Sequence, residues 1–583
     1  MKSFFKNVLA NIVAIFIIGL IGIFFMFFIV IMSSMSQNSG VKVKKNSILT
    51  IDLKTNIIDS PSEDKDDLFN FTEDNNNVIL LDAIKAIKAA KADDNIKGIS
   101  IEADYFNAGI TQLDNLRAAI DDFKKSRKFV LSYGNNVSQS SYYLGSVAEQ
   151  YFLNPVGGIE LKGLSSEVMF YKDFAEKYGV GVEVIRHGKY KSAVEPYLRN
   201  DLSPENKDQL STILNDIWTA TSSKIVSSRK ISSDDFKTVV DSLYGVIPEN
   251  NVKYKLVDKL AQKSEYDDVL RQKLKLDKKD KLNKISLAKY VSSLEEKSVA
   301  DDKVGVLYAS GAIYNGEGYD DIYSVDFVKN IKKLKEDKSV KAVVLRVNSP
   351  GGSANASDEI LFELEQLKKE KPLVVSFGDY AASGGYYIAM AADKIYSEPN
   401  TLTGSIGVFG VIPYFKKIAH NNGIYSEAVN TNANSNMYSP INGLTPGYVH
   451  TLTQSVEQTY KRFVYFVTKN RKKSFEQIDE IGGGRVWSGT RGKSIGLVDD
   501  LGTLEDAIKY ASSKAKLKDY DVVSYPKKVS SFEQIFKSMN EDQMSTRLIK
   551  KKVGEENFRI FQSLTKEKSE PSILMESPFK INY

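Results

Sequence analysis

The sequence predicts an α/β protein with parallel sheets, one fold written twice along the chain, and a single membrane-spanning helix in front of it. Three observations carry this. Short apolar strand patterns alternate with helical ones over most of the chain, the rhythm of βα units. The segment 96–155 aligns with 340–399 at a constant offset of 244 and without a gap. Residues 12–32 form an unbroken run of 21 apolar residues, glycines included.

The apolar run comes first. At about 1.5 Å per residue a helix of this length spans roughly 30 Å, the thickness of a bilayer core. It exceeds the apolar region of a signal peptide, and no A-x-A cleavage site follows, so an uncleaved anchor is expected. Lys2 and Lys6 lie on one side of it and Lys42, Lys44 and Lys45 on the other, so charge does not orient it. Nothing comparable follows in 33–583, which is expected to be a body on one side of the membrane.

Beyond the anchor, residues 59–77 are acidic and polar, hold Pro61, and read as a surface loop. Strands are expected at 98–101, 129–133, 304–308, 342–347 and 373–377, and helices at 83–92 and 359–369. The heavily charged 265–296 reads as a helix linking two halves. The organisation predicted is a cytoplasmic stub and anchor (1–40), a first domain (41–264), a charged linker helix (265–300), a second domain (301–515) and a tail (516–583).

The repeat fixes the equivalence of the halves. Lys97 matches Lys341, Asp114 matches Asp358, Gly134 matches Gly378, Tyr142 and Tyr143 match Tyr386 and Tyr387, and Pro155 matches Pro399. Composition adds exclusions. With no cysteine, disulfides, thiolate metal sites and cysteine nucleophiles are ruled out. A net charge of +5 from 79 basic and 74 acidic residues gives no reason to expect nucleic acid.

The halves differ where chemistry would sit. The second carries Asn348-Ser349-Pro350-Gly351-Gly352 directly after a strand, and Ala381-Ala382-Ser383-Gly384-Gly385 after the next. The first has Gln139 where the second has Ser383. Glycine amides with no side chain in front of them can stabilise an oxyanion. A serine among small residues at a strand-to-helix turn lets a carbonyl approach its Oγ. Such a serine needs a base. No histidine accompanies it within its motif: His187 reads as a loop residue, and His420 and His450 lie in unremarkable contexts. A desolvated lysine can serve instead, but neither composition nor spacing selects one.

A resemblance does. The run Tyr190-Lys191-Ser192-Ala193-Val194-Glu195-Pro196 resembles the lysine motif of the long form of the signal peptide peptidase A (protease IV) family. The stretches 379–387 (DYAASGGYY), 348–352 (NSPGG) and 402–410 (LTGSIGVFG) are similar to its other motifs. The resemblance spans roughly 1–510. It implies tandem domains related to Clp protease and crotonase, built of repeated ββα units. It also implies Ser383 as nucleophile, Lys191 as general base, Ser405 orienting the lysine, and backbone amides near Gly351, Gly352 and Gly384 as oxyanion hole. Glu195 and Pro196 would fix the loop that delivers the lysine. The first half keeps the lysine and the second the serine, so the dyad would be assembled across them. The family further implies no metal or organic cofactor, peptide substrates left from signal peptides, a bowl-like homotetramer, and a bacterial cytoplasmic membrane with the body outside the cytoplasm. Two other readings share part of these features: a crotonase-like acyl-CoA enzyme, which needs neither Ser383 nor Lys191, and an inactive membrane scaffold that kept the fold.

Overall fold

The computed structural model describes residues 41–61, 77–294, 300–318, 321–526 and 574–576, with scattered positions between 6 and 22. Among the described residues no helix is long and apolar enough to cross a membrane. Most of the run 12–32 lies outside them.

Two parallel sheets repeat one topology. In the first half the strands are β1 (Ser47–Asp52), β2 (Ile96–Glu102), β3 (Phe129–Val137), β4 (Gln150–Ile159), β5 (Lys259–Leu260) and β6 (Asn283–Ser286), in spatial order β5-β4-β3-β2-β1-β6. In the second half they are β7 (Lys303–Ser310), β8 (Val340–Ser349), β9 (Leu373–Ala382), β10 (Lys394–Ser397), β11 (Asp500–Leu501) and β12 (Asp521–Tyr525), paired in the same order, β11-β10-β9-β8-β7-β12. The far end of β9 also pairs with Leu402–Gly404, which in turn pairs with Val486–Ser488. Helix α1 (Ile110–Lys124) follows β2, and its counterpart α2 (Ala354–Lys368) follows β8 at the same offset as the sequence repeat.

The strands are apolar on both faces because both faces are covered. In β8, Ala342, Val343, Val344 and Leu345 are consecutive and all fully buried, the pattern of a parallel strand between helical layers. On α1, Leu113, Leu116, Ile120 and Phe123 recur at helical spacing and are fully buried. Each such side chain contributes roughly 1.5–3 kcal/mol.

A third sheet ties the halves together. The strand Gly181–His187 of the first half runs antiparallel to Val408–Tyr414 of the second, in continuous register from His187 against Val408 to Gly181 against Tyr414. The sheet order is Ile322–Tyr323, Ile313–Tyr314, Gly351–Ser353, Leu574–Glu576, Val408–Tyr414, Gly181–His187.

Three local expectations are corrected. The described part of 265–300 is not one linker helix: it contains most of helix Lys263–Leu274, strand β6 and helix Leu287–Ser293, and β6 lies parallel to β1. Ile285, Leu287 and Tyr290 are buried there among charged neighbours, too few to show a period. The second sheet continues past 515 into β12. Of the expected surface loop 59–77, 62–76 lie outside the described residues, and Asp59 and Ser60 are buried.

Candidate active site

Ser383 is the single residue between β9 and the short helix Gly384–Ile388. Its backbone is held at φ 55, ψ −117, outside the regions most L-residues adopt, the kind of local strain that clusters at functional turns. Its N–H donates to Gly404 O at 2.8 Å. Small neighbours are required: a methyl group on Gly385 would lie 2.6 Å from Ser349 O.

Lys191 comes from the other half. Strand Gly181–His187 is followed by Gly188, and the chain reaches Lys191 just before the 3-10 turn Ser192–Val194. Lys191 Nζ lies 2.8 Å from Ser383 Oγ, 2.9 Å from Ser405 Oγ and 3.2 Å from Ser405 O. All three residues are fully buried. Ser405 also has positive φ, at 51, and its N–H donates to Arg485 O at 2.7 Å. The three side chains selected by the resemblance thus converge on one point, from residues 192 and 214 positions apart from the lysine.

Two supports hold the lysine loop. Glu195 is buried and accepts from Ser203 Oγ at 2.5 Å and Asn206 Nδ2 at 2.9 Å, at the start of helix Pro204–Arg229. Gly484 (φ 85) packs on the Lys191 backbone so closely that a Cβ there would lie 2.6 Å from both Lys191 Cβ and N. Tyr190 N–H donates to Gly483 O at 3.0 Å and Gly484 N–H to Ile406 O at 2.8 Å. Sequence reasoning passed over Gly482-Gly483-Gly484. Three consecutive glycines far from either motif were the available signal.

The glycines after β8 face the serine turn. A methyl group on Gly384 would lie 3.2 Å from Gly352 N, and one on Gly351 would lie 2.6 Å from Gly384 N. Gly351 N–H itself donates to Ser349 Oγ at 3.2 Å. All three expected glycines therefore lie close together at the serine turn, with the Gly351 amide engaged by Ser349 Oγ.

Buried polar and charged groups also pair across the two halves. Arg346 pairs with Asp59 at 3.0 Å and donates to Ser376 Oγ and Phe377 O. Asn115 Nδ2 donates to Glu398 Oε1, and Asn400 Nδ2 to Asp114 Oδ2, each at 2.8 Å. Asp379 caps α1 by accepting the Thr111 N–H at 2.9 Å. The N-cap there is Gly109, where a Cβ would strike the Asp379 carboxylate; the equivalent position before α2 is Ser353, which caps its own helix. Burial pushes the Asp379 carboxyl up. Burial also raises Glu398, to about 8, against the opposing pull of Arg346.

The equivalent place in the first half is closed. Gln139 accepts the Lys162 and Gly163 N–H groups at 3.0 and 2.9 Å and donates to Gly163 O at 3.0 Å. His187 is not a loop residue: it ends the strand 181–187, stacks on Tyr460 at 3.6 Å and meets Glu457 at 2.7 Å. Among the described residues no cluster of His, Asp or Glu is arranged to hold a metal ion.

The family model for peptidase family S49 matches residues 122–277 and 365–518, and that for Clp protease matches 295–403. Protease 4 of Salmonella typhi is 36% identical over 470 residues, covering 79% of this chain and 76% of the relative. Protease 4 of Haemophilus influenzae is 35% identical over 74% of this chain and 72% of the relative. The chloroplastic serine protease SPPA of Arabidopsis thaliana is 30% identical over 82% and 70%. A point mutant of ClpP1 from Listeria monocytogenes superposes with a TM-score of 0.25 at 17% identity, covering 35% of this chain and 94% of that one; at that score the likeness carries no argument. The chain belongs to peptidase family S49. Within it, the doubled architecture is that of its protease 4 relatives, the double-domain signal peptide peptidase A type.

Proposed function

We propose that this chain is a membrane-anchored serine endopeptidase that degrades cleaved signal peptides and other short hydrophobic peptides with a Ser383–Lys191 dyad. One observation carries the reading: the 2.8 Å contact between Lys191 Nζ and Ser383 Oγ, with both residues fully buried. A general base must reach the proton it abstracts, and this distance meets that demand. Enclosure removes the water that would stabilise an ammonium ion.

In the reaction, neutral Lys191 takes the Ser383 proton as Oγ attacks the peptide carbonyl. The Gly352 and Gly384 amides hold the developing oxyanion. Lys191 then protonates the leaving amine, and water hydrolyses the acyl-enzyme by the same relay. Ser405 keeps the lysine aimed at Ser383. The run 12–32 would anchor the chain in lipid, with the body outside the bacterial cytoplasmic membrane, where signal-peptide remnants lie. A homotetramer would enclose the sites in a chamber.

The test is hydrolysis of a short hydrophobic peptide by the full chain in detergent, as wild type, Ser383→Ala and Lys191→Ala. Both variants are expected to fall by at least about 10³-fold while keeping the wild-type melting temperature. A Lys191→Ala variant of near wild-type activity would put the base elsewhere.

A further inference from the structure

One buried side chain outside the dyad holds Lys191 by both of its neighbours in the chain. Gln209 lies in the second turn of helix Pro204–Arg229, on the face that also buries Ile213 and Ile217. It is fully buried. A glutamine on such a face is costly unless both ends of its amide are paired, and here both are. Nε2 donates to Tyr190 O at 3.1 Å and to Ser192 Oγ at 2.9 Å, the residues on either side of Lys191, with Asn206 Oδ1 at 3.3 Å beside them. Oε1 accepts the Val486 N–H at 3.2 Å. These partners fix which end of the amide is which, because a backbone carbonyl only accepts and a backbone N–H only donates.

Val486 belongs to the segment that holds both serines of the site. It pairs with Gly404, whose carbonyl accepts the Ser383 N–H at 2.8 Å. The carbonyl of its neighbour Arg485 accepts the Ser405 N–H at 2.7 Å. A short chain of hydrogen bonds therefore runs from the lysine loop through Gln209, Val486 and Gly404 to Ser383. The same helix makes ion pairs to this segment, Asp208 with Arg485 at 2.8 Å and Asp216 with Arg491 at 2.6 Å, each with one partner about half exposed. Exposed pairs of this kind contribute little. Gln209 lies between them, out of reach of water.

We infer that Gln209 is a positioning residue for the reaction: its amide joins the lysine loop of the first half to the strand Val486–Ser488 of the second, and so sets the aim of Lys191 Nζ at Ser383 Oγ. This rests on the Ser383–Lys191 reading above. Gln209 touches none of the reacting atoms and acts through the lysine alone. The task demands a donor and an acceptor in one planar group. Methionine has the same reach but pairs with neither side. A glutamate keeps the acceptor for Val486 N–H, loses the donor, and sets a negative charge against Tyr190 O. Released from the clamp, the loop needs to shift by only about 1 Å to cost roughly 10²-fold in rate.

The experiment is steady-state hydrolysis of a hydrophobic peptide ester by the full chain in detergent, beside thermal unfolding. The chains are wild type, Gln209→Met, Gln209→Glu, Lys191→Ala and the double variant Lys191→Ala with Gln209→Met. Each Gln209 variant is expected to lose about 10- to 10²-fold in kcat with KM within about twofold of wild type. Gln209→Glu, which keeps the shape of the side chain, decides the matter if Gln209→Met does not fold. In the Lys191→Ala background Gln209→Met is expected to change the residual rate by less than about twofold, because the group it aims is gone. A folded Gln209 variant with kcat within about threefold of wild type overturns the inference. So does a loss that falls on KM, or a loss of the same size in the Lys191→Ala background, which a general structural role would produce. A Lys191→Ala chain of near wild-type activity refutes the dyad reading instead, and this inference with it.

Discussion

Gly484→Ala places the strongest demand on the account, because residue 484 is assigned no contact with substrate. Its Cβ would stand 2.6 Å from Lys191 Cβ and N and 2.7 Å from Lys191 Cα. These are backbone atoms and the root of a side chain, so no flexible end can swing aside. Restoring ordinary contact of roughly 3.5–4 Å moves the Lys191 backbone by about 1 Å. The dyad contact is 2.8 Å, and a shift of that size takes it past hydrogen-bonding range. A misplacement of about 1 Å costs roughly 10²-fold in rate, or about 2.7 kcal/mol of barrier. The backbone at φ 85 adds roughly 1–2 kcal/mol of strain to the folded state. The assay is kcat/KM on a hydrophobic peptide ester beside thermal unfolding. The expected result is a fall in kcat of about 10²-fold with a lowering of Tm of a few degrees. Activity within about threefold of wild type would refute the claim that Gly484 sets the position of the lysine.

Three further outcomes follow from the same geometry. Ser405→Ala removes the hydroxyl 2.9 Å from Lys191 Nζ but leaves the Ser405 carbonyl at 3.2 Å; kcat should fall about tenfold or more with KM and Tm nearly unchanged, read by steady-state kinetics. Arg346→Met strands the buried Asp59 carboxylate across the interface between the halves and should cost about 3–5 kcal/mol in denaturant unfolding. Glu398, raised by burial from 4.5 to about 8, holds a proton in the folded state that the unfolded state gives up. Its stabilisation is complete below about pH 4.5 and is lost as pH rises toward 8. Glu398→Gln mimics the protonated form, so its Tm relative to wild type should climb across that window; a constant difference would show that Glu398 does not titrate there.

The fold was legible where it repeats. An identical spacing of apolar and polar positions over 96–155 and 340–399 already implied two copies of one sheet, and the helices Ile110–Lys124 and Ala354–Lys368 begin and end at matched positions. Each expected strand lies inside an observed one because continuous apolar runs mark strands covered on both faces. The third sheet was not legible. It is assembled from strands as short as two residues and from glycines at positive φ, which carry no periodicity, and one of its strands lies far along the chain from its neighbours. Asp59 was misread because acidic residues after a short strand usually face water; its partner Arg346 is 287 positions away. The dyad itself was nominated by motif likeness, since no property of Lys191 within the sequence separates it from other lysines. The glycines that hold it in place offer no side chain to read.

The most direct measurement is covalent labelling of the full chain by a fluorophosphonate, a reagent that traps activated serines. Labelling rate is followed against pH, and the modified residue is located by mass spectrometry. The account predicts one label on Ser383, a rate that rises with pH as the base loses its proton, and loss of labelling in Lys191→Ala with the fold intact. A label at another residue, or a Lys191→Ala chain that labels at the wild-type rate, would contradict a dyad assembled across the two halves.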